Sequence, residues 1–271
     1  TGSHHCIRER GECPWMESLF ALIRSVHAAH AAGRPAPRLV GCCFGAQAIA
    51  HALGGEVGRN PSQEFVFKAE EILPHAALLE CAWAPPPALA AAADAALARC
   101  GGRAPAAPAA EDCDSEARRG EGARLSATTV DGSGGEAEEE GPRHCAPAAA
   151  AQRLLLLESH GDCVLRLPEG ATLLASSSSC RHELYGVGSG ILAAQGHPEM
   201  SVALFLEKIL PALRDKGRIS PEGEAEACAS MERFDSVAAA EPLLAGGWLL
   251  DGISRFLRAG GGAGSCSAAA S

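Results

Sequence analysis

The chain has 271 residues, with 33 acidic against 23 basic side chains and a formal net charge of −10. That sign argues against a general nucleic-acid or anionic-membrane surface, since both need positive charge facing phosphate. Hydrophobic residues make up 47 % of the chain but aromatics only 4 %, so the expected core is sizeable yet rich in alanine, which buries little area per residue.

The longest apolar-looking run, Ala82 to Ala98, is broken by Pro85, Pro86, Pro87 and Asp94, and no transmembrane span is expected. The twelve cysteines include no CxxC pair and follow no secretory leader, which reads as free thiols in a reducing, cytoplasmic setting. Cys6, Cys13, His4 and His5 lack a regular ligand spacing, so no metal site is expected.

In chain order, Trp15, Leu19, Leu22, Ile23 and Val26 recur at helical spacing and predict an amphipathic helix from Pro14 to His30. After the breakers Gly33 to Pro37, Leu39 to Cys42 reads as a buried strand, followed at once by Cys43 and a helix that stops at Gly54 and Gly55. From 82 to 151 the pattern dissolves into alanine, proline, glycine and acid, the acids concentrated between Glu111 and Glu140. This segment is expected to be a disordered low-complexity insertion. Strands are expected at Leu154 to Leu157, Val164 to Leu167, Thr172 to Ala175, Leu184 to Val187 and Ile191 to Gln195. A helix with Val202, Phe205, Leu206 and Ile209 on one face follows, then peripheral helices at Met231 to Ala240 and Trp248 to Leu257. The domain is expected to end at 255, with a flexible tail over 256–271. Alternating strands and helices predict a three-layer α/β fold, a mostly parallel sheet with helices on both faces and the chemistry beyond the carboxyl ends of the strands. A dinucleotide-binding variant lacks its GxGxxG fingerprint.

A cysteine between a buried strand and a helix is held at the mouth of the sheet, where the helix N-terminus favours thiolate and oxyanion. Cys43 occupies that place, although taken alone it also reads as a small buried hydrophobe like most of the other cysteines. His197 follows a strand, and Glu199, two residues on across Pro198, is in reach of the imidazole. The cysteine elbow and the His-Pro-Glu turn together predict nucleophile, base and orienting acid. His160 and Asp162 read first as a turn and second as pocket residues. His27, His30 and His51 read as helix-surface or packing residues, His182 and Glu183 as a turn, and Tyr185 as packing.

GCCFGAQAIAHALGG at 41–55 resembles the nucleophile motif of class I glutamine amidotransferases, and AAQGHPEM at 193–200 resembles their histidine–glutamate motif. The stretch 158–179 is similar to the late sheet of the same family, with the stand-alone, GMP-synthase-like branch that includes plant γ-glutamyl peptidases closest in flavour. The resemblance implies a flavodoxin-like class I amidotransferase architecture whose first strands precede Thr1. An exposed sheet edge and a tendency to self-associate are then expected.

It also implies hydrolysis of a γ-glutamyl amide or peptide through a cysteine thioester on a small-molecule substrate, without cofactor. Cys43 would be the nucleophile, His197 the base and Glu199 its partner. The amides of Gly2 and Phe44 would form the oxyanion hole, and Gln47 would position the glutamyl head. Cys42 replaces the family's usual aliphatic residue, Ala46 stands where the family commonly has a larger residue, often histidine, and 61–65 lacks its Gly-Trp-Glu signature. The short length after Glu199 favours a free-standing amidase. The alternatives are a glutaminase subunit supplying ammonia to a separate synthase and a catalytically silent binding or regulatory relative.

Overall fold

The computed structural model describes Ser3 and residues 5–62, 65–84 and 154–259. The predicted insertion, apart from 82–84, lies outside the described residues, as do Thr1, Gly2 and the chain from 260. The described elements belong to one unit, Thr1–Gly102 with Ala150–Ser271.

Strands β1 (Leu39–Cys42), β3 (Val66–Pro74), β4 (Leu154–His160), β6 (Ala171–Ser177), β7 (Leu184–Val187) and β8 (Ile191–Ala194) form a six-stranded sheet in the order β1-β8-β7-β6-β3-β4. A two-stranded ribbon joins β2 (Glu56–Arg59) to β5 (Asp162–Arg166). The prediction of a mostly parallel sheet fails. Only β1 and β8 run parallel, and every other pairing in the sheet is antiparallel. The reason is connection length. The three residues 188–190 close β7 onto β8 as a hairpin, whereas a parallel neighbour needs a long crossover. Gly188 supplies the positive φ of 56° that this turn uses.

Helices cover both faces, so the three-layer expectation holds. On one face lie α1 (Trp15–Ala31) and α2 (Phe44–Ala52), packed on Tyr185, Val187, Ile191 and Ala193. The alternate residues Leu184, Leu192 and Ala194 face the other core, as strand geometry requires. That side is closed by α4, which runs Val202–Leu204, a π-helical turn Phe205–Ile209, and Leu210–Asp215, together with α5 (Pro221–Ala240) and α6 (Gly247–Arg258). The short α3 (Ala76–Leu79) follows β3.

Several expected boundaries move. The buried stripe of α1 is Met16, Phe20, Ile23 and Val26, while Trp15 and Leu22 from the predicted stripe are exposed. Trp83, placed at the start of the insertion, is buried and packs against Gly252 and Phe256 of α6. Phe256 is itself buried and helical, so α6 extends into the expected tail. The last helices are also not peripheral, since Met231, Val237, Trp248 and Leu249 are completely enclosed. Trp248→Ala should therefore lower the unfolding free energy by about 3–5 kcal/mol, measured by urea denaturation. A change under about 1 kcal/mol would place α6 outside the cooperative core. Among the described residues no helix is long and apolar enough to cross a membrane.

Candidate active site

The parallel pair β1 and β8 builds the site. Its register matches Cys42 with Ala194, and the Cys43 amide extends the ladder by donating to the Ala194 carbonyl at 2.8 Å. Parallel strands leave a sheet at the same edge, so Cys43 and the turn that follows β8 emerge together.

At Cys43 the chain turns into α2 with φ 51° and ψ −110°, and among the described residues no other non-glycine has positive φ. Such a conformation costs about 1–3 kcal/mol and is kept only where the surroundings enforce it. Gly41 shows one source of that enforcement, because a Cβ there would lie 2.5 Å from the Gly45 carbonyl carbon. The turn sets the Cys43 sulfur 3.8 Å from the Ser159 carbonyl at the end of β4. It also aims the first-turn amides of α2, including that of Phe44, away from any intrahelical acceptor.

His197 is held from several directions. Its amide donates to the Leu157 carbonyl at 2.8 Å, its ring meets Phe205 edge to face at 5.9 Å, and Nδ1 lies 2.9 Å from Glu199 Oε1. Phe205 opens the π-helical turn of α4, a local irregularity of the kind that often sits beside functional groups. Burial disfavours the charged imidazole, but hydrogen bonds and charge from Cys43 and Glu199 outweigh it and push the His197 pKa up to about 9. Glu199 is opposed by burial in turn, but its bond to His197 holds its carboxyl below the usual range.

The neighbouring thiol differs. Burial, aided by the charge of Glu199, pushes Cys42 up to about 11, so Cys42 remains a protonated thiol at neutral pH. The structure thus brings Cys43, His197 and Glu199 together, with Phe44 beside them, while Gly2 lies outside the described residues.

Above the elbow is a cleft of about 1200 Å³ whose lining includes Cys43, Phe44, Gln47, His160, Asp162 and His197. Gln47 is buried, and its Nε2 donates to the Asp162 carbonyl at 2.8 Å and to Gln195 Oε1 at 3.2 Å. It therefore ties the floor together as well as lining it. His160 and Asp162 close β4 and open β5, so the turn between them is part of the pocket. Arg8, which the sequence reading passed over, grips Asp162 through Nε and Nη2 at 3.3 and 3.1 Å. Ala46 faces the core, where its carbonyl accepts from the Tyr185 hydroxyl at 2.6 Å, and it does not line the cleft. Among the described residues no group of three or more His, Cys, Asp and Glu side chains is arranged to hold a metal ion.

Comparison with known proteins gives local sequence matches and a fold match. The chain is 44 % identical over 54 residues to γ-glutamyl peptidase 3 of Arabidopsis thaliana, which covers 20 % of this chain and 22 % of that protein. With γ-glutamyl peptidase 4 of the same plant it is 34 % identical over 83 residues, 31 % of this chain and 33 % of that protein. The fold superposes on a glutamine amidotransferase of Thermotoga maritima with a TM-score of 0.51 at 17 % identity, over 95 % of this chain and 76 % of that one. The chain thus has a class I glutamine-amidotransferase-like fold and, over its matched stretches, is similar in sequence to γ-glutamyl peptidases. No family model matches it, and the sequence matches span about a fifth to a third of those plant relatives.

Two outcomes are expected. The folded His197 pKa of about 9 lies above the unfolded value near 6.5, so its stabilisation, on the order of 3 kcal/mol, is complete below pH ~6.5 and lost as pH rises through about 9. Urea unfolding at pH 6 and 9.5 should show that loss, and His197→Gln should flatten it. Glu199→Gln removes the charge on Nδ1 and should bring the His197 pKa down by at least about one, read by NMR titration.

Proposed function

We propose that this chain hydrolyses a γ-glutamyl amide through a thioester on Cys43. The observation that carries the reading is the emergence of Cys43 and His197 from paired parallel strands, with His197 Nδ1 bonded to Glu199. In this reading the Cys43 thiolate attacks the δ-carbonyl, and the oxyanion faces the Phe44 amide at the helix N-terminus, with the Gly2 amide as the expected second donor. His197 is positively charged at neutral pH, so it stands ready to protonate the departing amine. The neutral imidazole left behind takes a proton from water, and the resulting hydroxide releases glutamate from the sulfur. Glu199 holds the ring in one orientation throughout.

The finer substrate assignment rests on the cleft. Its volume exceeds what a glutamine side chain fills, and its lining carries Arg59, Lys216 and Arg218 interspersed with Glu9, Glu222 and Glu226, which suits a larger γ-glutamyl peptide with both charged ends. Gln47, with Arg8 and Asp162 beside it, is the proposed seat of the glutamyl amino and carboxyl groups.

Intact-mass spectrometry after incubation with glutathione or glutamine tests this directly. A glutamyl adduct on Cys43 is expected, with glutathione the faster donor, whereas preference for glutamine would point to an ammonia-supplying glutaminase. Cys43→Ala should lower kcat by at least roughly a thousandfold, while Cys42→Ser should keep turnover. Equal turnover by wild type and Cys43→Ala would exclude the mechanism.

A further inference from the structure

Directly beneath the turn that carries His197 lie two carboxyls, Glu158 and Glu183, each completely excluded from solvent. Glu183 receives two successive amides of that turn. Its backbone carbonyl accepts from Gln195 at 2.7 Å, and its side-chain Oε1 accepts from Gly196 at 2.8 Å. The third amide, that of His197, goes to Leu157, the residue next to Glu158. Glu183 is itself fixed to β6, through its amide to the Ala175 carbonyl at 3.1 Å and through Ser177 Oγ donating to Oε2 at 3.3 Å. Glu158 sets the height of the turn, because a Cβ on Gly196 would collide with Glu158 Oε1. This gives the glycine of the QGHPE segment a physical reason.

The two carboxyls lie side by side in a dry site, where burial pushes both well above the usual carboxylate range, aided by the charge of Glu70 at Glu158 and of Glu158 at Glu183. Two such charges cannot both form, so the pair retains at least one proton between them. His160 Nε2 stands 3.4 Å from Glu158 Oε2, and burial lowers the His160 pKa and keeps that ring neutral. A pair of buried acids is a costly way to fill a core, and apolar residues of similar volume are often as stable or more so. Its retention under this turn needs another reason.

We propose that Glu158 and Glu183 are positioning residues, a carboxyl platform that fixes the Gln195–Gly196–His197 turn so that the imidazole meets the Cys43 sulfur. The proposal rests on the hydrolase reading for its effect on rate, but not for its effect on the imidazole. Glu183→Gln keeps an oxygen for the Gly196 amide, whereas Glu183→Met keeps the volume and removes the acceptor. Glu183→Met is expected to lower kcat at least roughly thirtyfold with KM within threefold, and to drop the His197 pKa from about 9 to ~7 or below in an NMR titration. Glu183→Gln should stay within threefold of wild type in kcat and keep the raised pKa. Gly196→Ala approaches the same platform from the turn side and should reproduce the loss of kcat and the fall in pKa. It decides the matter if Glu183→Met does not fold.

A wild-type titration of His197 in Glu183→Met or Gly196→Ala would overturn the proposal, as would equal damage from Glu183→Gln and Glu183→Met. Absence of γ-glutamyl turnover in the wild-type chain would instead remove the hydrolase reading, with the titration still deciding the platform.

Discussion

One hydrogen bond organises this molecule, that from the Cys43 amide to the Ala194 carbonyl. It is the last rung of the parallel ladder of β1 and β8, and it binds the sulfur-bearing elbow to the strand that leads to His197. Slide β1 by one residue and Cys43 would face the opposite side of the sheet, because side chains alternate along a strand. Glycine at 41, the tight entry into α2 and the strained backbone at 43 all serve that register. The sheet therefore spends its single parallel pairing where two distant stretches must leave together, and uses hairpins elsewhere.

Around that rung the structure sorts similar groups into different chemical states. Cys42 and Cys43 are adjacent, yet one has its pKa pushed up to about 11 and stays a thiol while the other meets an imidazole at the cleft. Glu199 is exposed and its carboxyl is held below the usual range, whereas Glu158 and Glu183 are sealed and pushed well above it. Sequence neighbours and identical residue types thus diverge through desolvation and partner choice, the two forces that set proton affinity inside a protein.

Much of this was legible from residue order. The elbow, the His-Pro-Glu turn and six of the strands fell where periodicity and breakers put them, because each depends on local pattern. The nine-residue strand β3 escaped notice because its Lys68, Ala69, Glu70 and Glu71 favour helix and hide the buried alternation around them. Glu70 is nonetheless enclosed, capped by the amide of Ser179 and the hydroxyls of Ser178 and Ser179. Sheet direction could not be read either, since it is settled by which edges meet and not by the strands themselves. Burial of Glu158 and Glu183 ran against composition, as acids are normally solvated. The only local hint was a glycine at 196 immediately ahead of the histidine.

Helix α2 shows where an alanine-rich composition leads. Ala46, Ala48, Ala50 and Ala52 are all enclosed, wedged between the sheet and α1 with almost no side-chain bulk. Most cores lose stability when side chains are trimmed, but these positions have nothing left to trim. Their vulnerability lies in the other direction, where each added methylene must push apart two layers that also hold the elbow. Variation in this helix is thus confined on one side only, because larger residues would displace the elbow that carries Cys43.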